Sequence, residues 1–118
     1  PMTIERIGLA ARYCDAAIFN GIIFLAGHVA EKTEGASLTE QTEEVLALLE
    51  DTLAQAGSRK ERILSVQIFL TDISKIGEMN AVWDKWVAKG HSPARATVEA
   101  KLASPGYAIE ITAVAAKG

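Results

Sequence analysis

The sequence has little cysteine and no long apolar run. Cys14 is the only cysteine, so no disulfide bond can form within the chain, which agrees with a reducing compartment. No apolar run approaches the roughly 20 residues of a membrane-spanning helix. The stretch from Pro1 to Arg6 lacks the basic end and apolar core of a secretory signal. We therefore expect a soluble, cytoplasmic protein that does not contact a membrane.

Concentrated positive charge and cofactor motifs are also missing. The 15 acidic residues outnumber the 12 Lys and Arg residues, giving a net charge of -3. Nucleic-acid binding needs clustered basic residues, and the densest basic segment, residues 59 to 62, contains a glutamate. His28 and His91 lack metal-ligand spacing, and no glycine-rich phosphate loop is present. These absences argue against nucleic-acid partners, a metal site and any nucleotide cofactor.

The size and composition are those of one globular domain. The 118 residues, 49% hydrophobic and 23% charged, predict a single domain over residues 1 to 118. A chain of this length can bury a core, but its surface is large relative to its volume. Oligomerisation would therefore help to stabilise it.

Two helices are predicted by apolar residues that recur at steps of three and four. The first begins with a capping box at residues 37 to 40 and ends at Gly57. The second is capped by Asp72 or Ser74 and ends at Gly90. Its two tryptophans are assigned to the core.

Several segments have the alternation or β-branched content of strands. Asn20-Gly21 between two apolar runs predicts a tight hairpin, and the turn at residues 104 to 106 predicts a second hairpin at the end of the chain. The predicted strands are residues 3 to 7, 16 to 19, 22 to 26, 63 to 71, 93 to 99 and 107 to 115.

The order of these elements predicts the fold class. Hairpin, helix, strand, helix and hairpin follow one another without regular βαβα alternation. This order is typical of an α+β fold with a mixed, mainly antiparallel sheet and two helices packed on one face. The second face of the sheet then needs a cover, which another subunit could provide.

The strand after Pro93 carries the residue best suited to bind a carboxylate. Alternation places Arg95, Thr97 and Glu99 on one face and small residues on the other. A guanidinium with room beside it can bind a carboxylate through two parallel hydrogen bonds. The alternative is a surface arginine on an edge strand.

The final strand adds a second candidate. If Leu102 pairs with Tyr107 across the last turn, Glu99 lies opposite Glu110, and both share a sheet face with Arg95. Two opposed carboxylates repel unless a cation or proton intervenes. The group is then either a structural ion-pair patch or a site in which a carboxylate acts beside an anchored ligand.

The sequence resembles the reactive intermediate deaminase family (RidA, or YjgF/YER057c) along nearly the whole chain. Gly27 after an apolar strand and Ala56-Gly57-Ser58 after the first helix fit the family pattern. The order and spacing of four further segments carry the resemblance: Phe69-Leu70-Thr71-Asp72, Met79-Asn80-Ala81-Val82-Trp83, Pro93-Ala94-Arg95 with Val98-Glu99, and Ile109-Glu110-Ile111-Thr112-Ala113-Val114-Ala115.

The resemblance implies a chorismate-mutase-like α+β fold and a homotrimer with ligand clefts between subunits. It further implies an enamine/imine deaminase without cofactor or metal. Arg95 would hold the carboxylate of a small 2-imino or 2-aminoacrylate-derived acid, and Glu110 would position or activate water, releasing a 2-oxo acid and ammonia. The other cleft residues that it implies are Tyr13, Gly27, Asn80 and Thr97.

Several positions depart from the family pattern. Ala11-Arg12 stands in place of Gly-Pro, Ala26 in place of serine, His28 in place of glutamine and Thr97 in place of cysteine. The chain thus resembles a divergent subgroup. The alternative function is a non-catalytic trimeric protein that binds a keto acid or regulates a partner enzyme. Ribonuclease activity is a third hypothesis, which the acidic charge disfavours.

Overall fold

The computed structural model describes residues 3–118. Pro1 and Met2, which begin the stretch that lacks a secretory-signal pattern, lie outside the described residues. Within residues 3–118 the chain forms two α-helices and seven strands. Their bounds are β1 (Glu5–Ile7), β2 (Ala16–Phe19), β3 (Ile22–Leu25), β4 (His28–Val29), α1 (Leu38–Gln55), β5 (Ile63–Leu70), α2 (Ile76–Trp86), β6 (Ala94–Glu99) and β7 (Ile109–Ala116).

All seven strands belong to one sheet. Its order is β1-β2-β3-β7-β5-β6, and β4 pairs with β7 beyond the end of β3. Every pairing is antiparallel except that of β5 with β6, which is parallel. The mixed, mainly antiparallel sheet with two helices confirms the predicted α+β class.

The core lies between one face of the sheet and the helices. On β5, Val66, Ile68 and Leu70 are buried, while the residues between them are not. Helix α1 contributes the fully buried Val45 and Leu49 to the same core. The opposite face of the sheet, which we call the open face, leaves large apolar side chains about half exposed.

Two local predictions are confirmed in detail. Asn20 and Gly21 have φ of 53° and 78°, the positive values that a two-residue hairpin turn requires, and β2 pairs with β3 across them. At the start of α1, Ser37 Oγ accepts a hydrogen bond from Glu40 N at 3.2 Å. Beyond the end of α1, Gly57 has a φ of 80°, as expected for a glycine after a helix.

The predicted hairpin between the last two strands is wrong. The turn itself forms, because Tyr107 N donates to Ser104 O at 3.1 Å. However, β5 lies between β6 and β7 and pairs with both. The segment β5-α2-β6 is a strand-helix-strand unit, in which the helical connection is long enough to return the chain parallel to β5.

The bounds of several elements also differ by a few residues from the sequence prediction. Helix α2 ends at Trp86 rather than near Gly90, because Val87 adopts an extended conformation with ψ of 139°. The short strand β4 was not predicted, since the sequence indicated only a loop after Gly27. Among residues 3–118, neither helix is long and apolar enough to cross a membrane.

We predict that Ser37→Ala lowers the free energy of unfolding by about 1 kcal/mol, because the Glu40 N–H loses its acceptor. Thr39→Ala is the control. It removes an exposed hydroxyl from the first turn of the same helix, and we expect a change within about 0.5 kcal/mol because alanine favours helix. Urea unfolding measures both values, and equal losses would contradict the capping role.

Candidate functional site

Arg95 lies on the helix side of the edge strand β6. It pairs with Val66, whose side chain is buried against the helices, so the two side chains share that face. The guanidinium carbon is 5.1 Å from the centre of the Trp83 ring, and Nη1 is 4.0 Å from Met79 Sδ. The cation is therefore supported by an aromatic face of α2.

No carboxylate neutralises Arg95 within the described residues. The ion pairs found between residues 3 and 118 join Arg59 to Glu61 and Lys117 to Glu5. Arg95 is also exposed, so an anion from solution can reach it. A guanidinium in this state can bind a carboxylate through two parallel hydrogen bonds.

Two polar atoms on the elements around Arg95 are buried without a partner. Thr97 follows Arg95 on the same face of β6, and Asn80 follows Met79 in α2. Asn80 Oδ1 and Thr97 Oγ1 are inaccessible, and neither has a hydrogen-bond partner in residues 3–118. Leaving such a group unpaired costs about 1 to 3 kcal/mol. Both atoms therefore lie behind the exposed guanidinium and not on the accessible surface.

Glu110 lies on the open face of the sheet, where its neighbours across the strands are Phe69 on β5 and Val29 on β4. Its carboxylate extends over Gly27. A Cβ added at Gly27 would overlap Glu110 Oε2 and stand 2.9 Å from Cδ. A side chain at position 27 would therefore have to move this carboxylate, which is the end of a flexible side chain.

Tyr13 lies on the loop that leads into β2. Its ring is well exposed, with 62% of the residue accessible. The end of this loop is fixed beside Gly27, because Ala26 N donates to Asp15 O at 3.0 Å. Tyr13 thus belongs to the same part of the molecule as Glu110.

The predicted site residues therefore form two groups. We call Met79, Asn80, Trp83, Arg95 and Thr97 the arginine cluster, and Tyr13, Gly27 and Glu110 the glutamate cluster. The prediction that Arg95 and Glu110 share a sheet face is wrong. Because β5 separates their strands and sets a different register, Arg95 faces the helices and Glu110 the open side.

Glu99 makes a structural contact instead. Its side chain lies on the helix side with Leu70, and Oε1 accepts a hydrogen bond from Ile73 N at 3.1 Å. It therefore fixes the short helical turn that precedes α2. Of the two candidate carboxylates, Glu110 is therefore the one that accepts no backbone hydrogen bond within residues 3–118.

A shallow depression of about 520 Å³ crosses the open face between β3 and β6. Small side chains make room for it, including Ser65, Ala94 and Ala96. Phe24, on its rim, is 51% exposed, and Val98 on the same face is 49% exposed. The open face thus exposes two large apolar side chains, one on β3 and one on β6.

The sequence did not indicate what supports Arg95. Both tryptophans of α2 were assigned to the core, and Trp83 is indeed buried. The spacing of Met79 and Trp83, one helical turn apart, was the available signal. It places a thioether and an indole on one stripe of α2, but not against β6.

Comparison with known proteins identifies relatives over nearly the full length. A family model described as Endoribonuclease L-PSP matches residues 3–117. A RutC family protein of Haemophilus influenzae is 46% identical over 114 residues, covering 97% of this chain and 98% of the relative. The RutC family protein YoaB of Escherichia coli is 44% identical over 115 residues, covering 98% and 99%.

Solved structures show the same architecture. A YjgF family member from Neisseria meningitidis superimposes with a TM-score of 0.95 at 46% identity, covering 99% of this chain and 97% of that one. A relative from Mycobacterium tuberculosis gives 0.86 at 26% identity, covering 97% and 99%. The two helices and seven-stranded sheet are thus the YjgF-type α+β fold. The chain belongs to the YjgF/YER057c/UK114 family, which confirms the resemblance seen in the sequence.

We predict that Gly27→Ala lowers the free energy of unfolding by less than about 1 kcal/mol, because the new methyl group displaces only the carboxylate end of the flexible Glu110 side chain. In a Glu110→Ala background the cost should largely vanish, which a double-mutant cycle by urea unfolding detects. Gly77→Ala, where an added Cβ meets no atom within 4 Å, is the control. Equal losses at Gly27 with and without Glu110 would refute the steric explanation.

Proposed function

We propose that the protein is a homotrimeric enamine/imine deaminase that hydrolyses small 2-imino acids, such as those derived from 2-aminoacrylate. The observation that carries this proposal is the arginine cluster. An exposed guanidinium lies over the Trp83 ring and has no carboxylate partner within residues 3–118. A small acid would supply that carboxylate.

The arginine cluster suggests a role for each of its polar members. Arg95 would bind the substrate carboxylate bidentately. Thr97 would shape the cleft beside Arg95, and Asn80 would border it, with its side-chain oxygen buried behind the ligand. Trp83 would keep the guanidinium in place.

The reaction needs water, a proton acceptor and orientation. Water adds to the imine carbon to form a carbinolamine, the C–N bond then breaks, and ammonia leaves behind a 2-oxo acid. The Glu110 carboxylate would orient the water, take one proton from it and give that proton to the imine nitrogen, and then move the carbinolamine hydroxyl proton to the departing nitrogen. Holding substrate and water together supplies much of the rate enhancement. Tyr13 would cover the cleft and Gly27 would border it.

The positions of the two clusters support clefts between subunits. They lie on opposite faces of one sheet, so a single chain does not bring them together around one small molecule. Strand β6 is the sheet edge, and the arginine cluster lies at this edge. An edge that packs on the open face of the next copy makes a head-to-tail contact, and such a contact closes into a ring of three when each copy is turned by one third of a full rotation. It would also cover Phe24.

We predict that Arg95→Ala lowers kcat/KM for 2-aminoacrylate generated in situ by about 100-fold or more, because two charge-assisted hydrogen bonds are lost. Arg59→Ala is the matched control, since Arg59 is exposed and 3.9 Å from Glu61. Release of 2-oxo acid measures the rate. If wild type and Arg95→Ala both match buffer alone, the protein is not this enzyme.

We further predict that mixing Arg95→Ala with Glu110→Ala restores activity. In an equal, randomly reassembled mixture, about one quarter of the clefts would combine an intact arginine cluster with an intact glutamate cluster. The mixture is unfolded and refolded together and then assayed against each variant refolded alone. No recovery from trimers of proven mixed composition would place the site within single chains.

A binding protein without turnover is the second candidate. Arg95 can hold a carboxylate without catalysis, and Ala26 removes a hydroxyl that the family pattern has near the cleft. We predict saturable binding of 2-oxobutyrate by calorimetry for both candidates. Turnover of the imine distinguishes them, because a binding protein leaves its decay unchanged. Cleavage of RNA that disappears in Arg95→Ala would instead favour the activity named by the family model.

The proposed compartment is the cytoplasm, where free thiols such as Cys14 stay reduced.

A further inference from the structure

His28 connects the backbone beside the glutamate cluster to helix α1. In β4 it pairs with Ile111, a fully buried residue of the helix-facing side, so its imidazole also lies on that side. Nδ1 is 2.7 Å from the carbonyl oxygen of Ala26, and Nε2 is 2.9 Å from Thr52 Oγ1. The ring therefore links the Ala26 carbonyl, just before Gly27, to helix α1.

The first of these contacts fixes a peptide group. A carbonyl oxygen only accepts hydrogen bonds, so Nδ1 carries the hydrogen and donates it to Ala26. The second contact restrains the ring, because Thr52 lies in α1 and its hydroxyl donates to Nε2, which accepts when Nδ1 carries the hydrogen. The Ala26 carbonyl is thus held toward the ring.

Holding this carbonyl also directs the next N–H. The chain has no cis peptide within residues 3–118, so the N–H of Gly27 points opposite to the Ala26 carbonyl, away from His28. On that side stands the Glu110 carboxylate. The Gly27 N–H has no backbone acceptor in the described part of the chain. Glycine is the residue least able to fix its own backbone, so an external restraint has a large effect here.

We propose that His28 is a positioning residue, which holds the Ala26-Gly27 peptide so that the Gly27 N–H donates a hydrogen bond to a carboxylate or carbonyl oxygen of the bound acid. This inference rests on the proposed function, since it assigns a donor to the same cleft. The restraint comes from two directions, the Ala26 carbonyl and α1. Thr52 is therefore part of this restraint, although it lies in α1 on the helix-facing side of the sheet.

The kinetic experiment compares His28→Leu, His28→Gln and Thr52→Val with wild type. Losing the restraint raises KM about tenfold in His28→Leu while kcat changes little, because one hydrogen bond to bound substrate is weakened. His28→Gln restores KM to within about threefold of wild type, since an amide also donates to the Ala26 carbonyl. Thr52→Val gives an intermediate KM. An unchanged KM in a folded His28→Leu protein, or a glutamine variant as poor as the leucine variant, overturns the proposal.

A second readout does not require turnover. In ¹⁵N-¹H spectra of the wild type, adding 2-oxobutyrate shifts the Gly27 amide downfield, as expected for a donor that gains an acceptor, and the shift is smaller in His28→Leu. A Gly27 amide that does not respond while ligand binds overturns the inference. If the wild type binds 2-oxobutyrate, shifts Gly27 and fails to hydrolyse imine, only the deaminase function is lost.

Discussion

The pairing of β5 with β7 is the interaction on which the rest of the structure depends. The two strands are each eight residues long and lie side by side in the middle of the sheet. Their helix-facing residues, including Ile68 opposite Ile111, are fully buried. The register of this pairing decides which side chains of β5 and β7 face the helices and which face the open side. It also separates β6 from β7, and so it sends Arg95 and Glu110 to different sides.

Much of the fold follows from local signals in the sequence. The Asn20-Gly21 turn, the cap at Ser37 and the alternation of β5 are decided by backbone sterics and burial over a few residues, and all are observed. The order of strands is decided by pairings between distant segments. A Pro-Gly turn before β7 is compatible with a hairpin, but it does not specify which neighbour β7 takes. In the structure β7 pairs with β5, and β6 lies on the far side of β5 as the end of the strand-helix-strand unit.

The site shows the same division. The face occupied by Arg95, Thr97 and Glu99 follows from the two-residue period of a strand and agrees with the structure. The resemblance to the family identified Asn80, whose buried oxygen has no partner in residues 3–118. Neither the strand period nor the family resemblance predicts which side chains of different elements touch. Trp83 under the guanidinium and Thr52 beside the imidazole depend on how helices rest on the sheet.

The separation of the two clusters has a genetic consequence in the proposed assembly. A chain that lacks Arg95 but folds normally would disable one cleft and still lend its Glu110 to a neighbour. A chain that cannot pack on its neighbours would withdraw one arginine cluster and one glutamate cluster, which also amounts to one cleft. Substitutions in the clusters should therefore be recessive and graded when two alleles are expressed together. Substitutions on the open face, around Phe24 and Val98, should behave in the same way, although these residues lie away from Arg95.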